Sequence, residues 1–201
     1  VAEAIHSYGG IVLHDVISPA FARKALAAGA DGLVLVAAGA GGHTGSIAGF
    51  AFVEEVRRFF SGPLVLGGGI GSGRGIRAAE VLGADFAYLG TRFLATTESM
   101  VSAAQKRMLV ASGSADIVCS DAFTGVKANW LRQSIVDYGL DPDHLQSGLG
   151  ELAGDIFPAG TQTHDDHVHD LRHVDSFRSS DDGEPGGRRR LFPVRPSVRR
   201  Q

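Results

Sequence analysis

Two stretches of this chain, Ala25-Leu26-Ala27-Ala28-Gly29-Ala30-Asp31 and Ala79-Glu80-Val81-Leu82-Gly83-Ala84-Asp85, lie 54 residues apart and share one grammar. In each, a helical run stops at glycine, which ends a helix without steric cost, and the chain turns through Ala-Asp into an apolar strand. A helix-to-strand corner that recurs at this interval favours a (β/α) barrel over an irregular sheet. No other feature limits the fold as strongly.

The residues around the corners keep the same rhythm. An apolar run at 11–16 is followed by Ser18 and Pro19, which suit the N-cap and first position of a helix that runs to Ala28 and stops at Gly29. A second strand at 32–37 leads through a glycine-rich loop at 38–45 to a helix over 50–60. There Phe52, Val53, Val56, Phe59 and Phe60 fall on one face, opposite Glu54, Glu55, Arg57 and Arg58. A third strand at 64–66 runs into Gly67-Gly68-Gly69 and a helix over 73–82. A fourth, at 86–89, runs into Gly90-Thr91 and a helix over 98–112. Four successive βα units imply an α/β fold with a parallel sheet. A complete barrel needs eight strands and about 250 residues, so this is an open sheet or a partial TIM-like (β/α) barrel with two strand edges to cover.

Composition sets the limits of the folded part. Residues 1–154 carry the βα units, whereas 155–201 hold 11 hydrophobic residues among 47, with 8 acids, 8 arginines and no lysine. Such a tail buries too little apolar surface to offset chain entropy and is expected to be disordered. His164, Asp165, Asp166, His167, His169, Asp170 and His173 crowd within it, but without a helix frame or an HExxH pattern they read as a solvated tail rather than a metal site. The net charge of −3 argues against nucleic acid as a partner, and the single Cys119 excludes a disulfide framework. No window of 18 to 20 apolar residues and no basic-then-apolar leader occurs, so the expected location is the cytoplasm. Residues 1–8 read as the last turns of a helix.

Glycine supplies 28 of the 201 residues, about twice the usual share, and it concentrates after the strands. Ligands of parallel α/β folds sit there. Gly67, Gly68 and Gly69 before a helix start, with Gly90 and Thr91 after the next strand, offer bare backbone amides suited to phosphate. A single triple-glycine turn would read as a tight turn; two adjacent ones favour a phosphate cradle. Neither a P-loop nor a GxGxxG spacing is present, which disfavours a dinucleotide Rossmann site. His43, in Gly41-Gly42-His43-Thr44-Gly45, is open to two readings, a general base or a loop hydrogen bond. His14, inside the first strand, reads as a barrel-lining or core histidine. Cys119 lacks the local signs of a nucleophile, and no GxSxG elbow occurs.

The elements 38-AGAGGH-43, Gly68-Gly69-Ile70 and 82-LGADFAYLGTRFLAT-96 occur in order and resemble the nitronate monooxygenase (2-nitropropane dioxygenase-like) family of FMN-dependent barrel enzymes, over residues 1–153. The resemblance implies that the four units are the C-terminal ones of the barrel. It further implies an FMN phosphate on Gly68, Gly69, Gly90 and Thr91, a flavin ring passing Gly41 and Gly42, and a catalytic His43 beside it. The implied reaction is oxidation of an alkyl nitronate, or of a nitroalkane once deprotonated, with O2 to a carbonyl compound and nitrite. Residues 124–132 resemble the family's loop after the barrel, which the resemblance implies lines the pocket. Many members carry Lys where this chain has Asp15 and an acid where it has Val36. The remaining strands are expected from an N-terminal half-barrel chain or a homo-oligomer. Two alternatives follow from the same resemblance: an NAD(P)H-dependent quinone or enoyl reductase, and a non-catalytic half-barrel remnant.

Overall fold

The computed structural model describes residues 1–146. The expected domain boundary at 154, the disordered tail and its His/Asp cluster lie outside the described residues. A short helix α1 (Ala2–His6) precedes strand β1 (Leu13–Val16) and helix α2 (Pro19–Ala27). Then come β2 (Gly32–Val36), a two-residue strand β3 (Gly42–His43), α3 (Gly49–Arg57), β4 (Leu64–Gly67), α4 (Gly73–Leu82), β5 (Phe86–Tyr88) and the short α5 (Thr91–Leu94). The chain continues through α6 (Ala103–Ala111), β6 (Ile117–Ser120), β7 (Ala128–Leu131) and α7 (Arg132–Asp137). Among the described residues no helix is long and apolar enough to cross a membrane.

β1, β2, β4 and β5 form a parallel sheet in that order, with Asp15 opposite Val34, Val34 opposite Val65 and Val65 opposite Phe86. These are the four strands expected from the sequence. The order follows the chain without reversal, which is barrel topology. Alternation assigns Leu33, Leu35, Leu64 and Leu66 to the helix-covered face. There they pack with Phe52, Val53 and Val56 of α3, all three fully buried, in the main hydrophobic core. Arg23 of α2 lies 3.6 Å over the Phe59 ring and ties α2 to the end of α3. The opposite face, which would line a barrel, buries only the small cluster Leu13, Val34 and Val65 and leaves Phe86 and Tyr88 about half exposed.

The helix starts are set by serine caps. The Ser18 hydroxyl accepts from Phe21 N at 3.3 Å with Pro19 at the first position, and the Ser72 hydroxyl accepts from Gly75 N at 3.3 Å. Three expectations need correction. The helix expected over 98–112 begins at Ala103, because Ser102 caps it by accepting from Gln105 N. α3 ends at Arg57 rather than residue 60, where the amides of Phe59 and Phe60 both close onto Val56 O in a tightened last turn. His14 is exposed on the Leu33 side of β1, an edge strand, and its Nδ1 is 2.8 Å from Asp15 O, so it neither lines the barrel nor enters the core.

The sequence rhythm does not reveal a second sheet, the antiparallel β3-β7-β6. Its hairpin has a core of its own: Phe123, Ala128, Trp130 and Ile135 are buried together. The Phe123 and Trp130 rings meet edge to face at 4.7 Å, and Trp130 Nε1 donates to Ser120 O.

Candidate active site at the strand ends

The chain leaves β2 at Val36 and stays bonded to the neighbouring loop. Ala37 N donates to Gly67 O at 2.9 Å, and Gly69 N donates to Gly39 O at 3.0 Å. The two glycine-rich loops therefore lie side by side at the C-terminal end of the sheet. Their approach leaves no room for side chains at two points. A Cβ on Gly68, whose φ is +122°, would sit 2.8 Å from Ala37 O, and one on Gly41 would collide with the Thr91 hydroxyl. The Gly41–Thr91 contact brings in the loop after β5. Gly41, Gly42, Gly67, Gly68, Gly69, Gly90 and Thr91 thus come from three adjacent strands to one end of the sheet. Gly67 itself closes β4 and faces the Tyr88 ring.

The donor set fits a phosphate and a flat ring in one respect that can be read directly. Added Cβ atoms at Gly42, Gly69, Gly71, Gly73 and Gly90 would meet nothing within 4 Å, so bare backbone borders open space on all three loops. The start of α4 adds the partial positive charge of a ten-residue helix.

His43 stands at the rim of this space, held by the hairpin. β3 pairs with β7 through Gly42 opposite Asn129 and His43 opposite Ala128. Thr44 N donates to Lys127 O at 3.0 Å, Asn129 Nδ2 donates to Ala40 O at 2.8 Å, and the buried Thr44 hydroxyl donates within its own loop to Ala37 O. The His43 ring is exposed, with Nε2 3.3 Å from Thr124 Oγ1. The loop hydrogen bond weighed from the sequence exists, and among the described residues the other ring nitrogen has no hydrogen-bond partner.

Thr124 and Asn129, both within the 124–132 segment that the resemblance implies lines the pocket, are thus the side chains that bond the His43 ring and its loop, and the sequence picks out neither individually. No local pattern marks them; the signal in the sequence is the resemblance of residues 124–132 to the family's loop after the barrel. On the open face of the sheet, Asp15 and Tyr88 lie near each other electrostatically. Burial raises the Tyr88 hydroxyl above its usual value, and the negative charge of Asp15 raises it further.

The nitronate monooxygenase family model matches residues 1–141. The chain belongs to that family. Its fold is the TIM barrel, and the four parallel strands are part of one. A Mycobacterium tuberculosis protein bearing a monooxygenase name is 38% identical over 144 residues, which cover 71% of this chain and 38% of that protein. Among solved structures, nitroalkane oxidase from Streptomyces ansochromogenes aligns with a TM-score of 0.62 at 30% identity, over 73% of this chain and 45% of that one. FabK from Thermotoga maritima aligns with a TM-score of 0.59 at 29% identity, over 75% and 58% respectively. The chain thus spans less than two-fifths of the length of that curated relative.

Proposed function

We propose that this chain forms the cofactor-holding and proton-abstracting part of a cytoplasmic, FMN-dependent enzyme that oxidises alkyl nitronates with O2 to a carbonyl compound and nitrite. The observation that carries this reading is the meeting of three glycine loops around the Gly41–Thr91 contact, with His43 at their rim. When bound, FMN supplies an acceptor for the substrate's electrons and a route from there to O2. Gly67, Gly68, Gly69, Gly90 and Thr91 would hold its phosphate, and Gly41 and Gly42 would border its ring. His43 would take the proton from the carbon beside the nitro group when the substrate arrives as a neutral nitroalkane. The barrel-facing side of the sheet, with Phe86 and Tyr88 exposed, would be covered by an N-terminal half-barrel or by a second copy.

The test is a flavin titration followed by O2 consumption and nitrite release. His43→Ala is expected to lower turnover of a neutral nitroalkane by about 100-fold or more, in line with the loss of a general base, and to affect a preformed nitronate far less. Equal losses on both substrates would overturn the role of His43. The likeness to FabK supports a second reading, an NAD(P)H-dependent quinone or enoyl reductase. NAD(P)H oxidation without nitrite release from any nitronate would select it.

A further inference from the structure

Thr124 sits in the connection between β6 and β7 and is fixed from both sides. The preceding residue, Phe123, is fully buried against Trp130, and Gly125 N closes the turn onto Asp121 O at 2.8 Å. His43 is held to the same hairpin by the β3–β7 pairing. The separation of the two side chains is therefore set by two backbone anchors rather than by two free rotamers. The single hydroxyl proton of Thr124 goes to Val126 O, 2.9 Å away, and a carbonyl oxygen can only accept it. At 3.3 Å from Nε2, the hydroxyl oxygen is then left to accept. A neutral imidazole carries one N–H, so that hydrogen must be on Nε2. Among the described residues, Nδ1 has no hydrogen-bond partner.

We infer that Thr124 is a positioning residue that holds His43 in its Nε2–H tautomer and leaves the Nδ1 lone pair as the atom that takes the substrate's proton. This rests on the reading of His43 as the base. In the step itself the C–H bond beside the nitro group breaks and an N–H bond forms at Nδ1. The bonding pair moves into the nitro group to give the nitronate. The ring becomes a cation and keeps its Nε2–H on Thr124, so the same hydrogen bond serves both states and strengthens in the charged one. A threonine that instead donated its proton to Nε2 would put the ring hydrogen on Nδ1 and leave no lone pair there for the substrate's proton.

The test needs neither flavin nor substrate for its first arm. Long-range proton–nitrogen NMR on the full chain with labelled histidine is expected to show His43 with a protonated Nε2 and a bare Nδ1. Thr124→Val should turn this into a mixture of tautomers, and Thr124→Ser should restore it. An Nδ1–H ring in the unsubstituted chain, or a ring that the valine leaves unchanged, overturns the assignment. In the second arm, Thr124→Val should lower the ratio of nitroalkane to nitronate turnover about tenfold, the worth of one charge-assisted hydrogen bond; an unchanged ratio also overturns it. Failure of the reading of His43 itself would show differently, as a His43→Ala enzyme that still deprotonates nitroalkanes while the ring NMR stays as expected.

Discussion

The units β1-α2 and β4-α4 are built to one plan and differ most in the segment between strand and helix. Their corners match atom for atom: Ala30 N donates to Ala25 O and Ala84 N to Ala79 O, around left-handed Gly29 and Gly83. Asp31 then brackets the start of the preceding strand, donating from its N to Val12 O and accepting from Val12 N, and Asp85 does the same with Leu64. The serine caps, like the corners, are 54 residues apart, but the strands β1 and β4 are only 51 apart. Between strand and cap the first unit has Ile17 alone, whereas the second has Gly68, Gly69, Ile70 and Gly71. The repeat is scaffold, and the interruption of the repeat is where the open glycine backbone lies.

The carboxylates also differ in what faces them. Asp85 receives Nη2 of Arg57 at 2.7 Å, and the same guanidinium donates to Gly83 O at 2.8 Å and Gly62 O at 2.7 Å, joining both ends of the second unit. Besides Val12 N, Asp31 meets the His6 ring, at 2.8 Å, in a pair whose side chains are about 40% exposed. Arg57→Ala is therefore expected to cost about 3 kcal/mol, since it strands several acceptors at once. His6→Ala should cost less than about 1 kcal/mol, as exposed pairs do. Urea unfolding of both variants checks this, and equal losses would mean that the two corners share their load in a way the contacts do not show.

The glycine loops can be divided by the same logic. Gly68→Ala meets both a left-handed φ and Ala37 O, and should cost about 2 kcal/mol. Gly90→Ala meets nothing within 4 Å and keeps a φ of −100° that alanine adopts freely, so it should leave the urea midpoint unchanged. Its methyl would still border the space proposed for the FMN phosphate, so it should weaken flavin binding in a fluorescence titration. A Gly90→Ala chain with full flavin affinity would move the phosphate site elsewhere.

What the sequence revealed and what it hid follow from the range of the interactions. Ser18-Pro19, the Gly-Ala-Asp corners and the apolar strands act over a few residues, so the four βα units and the glycine loops were legible. α6 starts later than expected because Thr96, Thr97 and Ser99 are all candidate caps, and Ser102 is the one that bonds Gln105 N. The β6-β7 hairpin was invisible because its strands are short and its core joins Phe123 to Trp130 and Ile135, none of which has a local pattern. The resemblance implies that 124–132 lines the pocket, but the bond from Thr124 to His43 has no local signal, since the two lie 81 residues apart in the chain.

The smallest effect concerns pH. The Asp31 carboxyl is held below its usual range, chiefly because it accepts from Val12 N and secondly because of the His6 ring. A carboxylate depressed in the folded chain favours folding while it is ionised. Its contribution is complete above the unfolded value near 3.9 and is lost as pH falls through the lower folded value. Asp31→Asn can still accept from Val12 N but cannot ionise, so it should flatten the acid limb of the urea midpoint between about pH 5 and pH 3. The change should be less than about 1 kcal/mol, because water screens a pair this exposed. An acid limb as steep in the variant as in the unsubstituted chain would place the proton-linked stability on other carboxylates and leave Asp31 only its bracket on Val12.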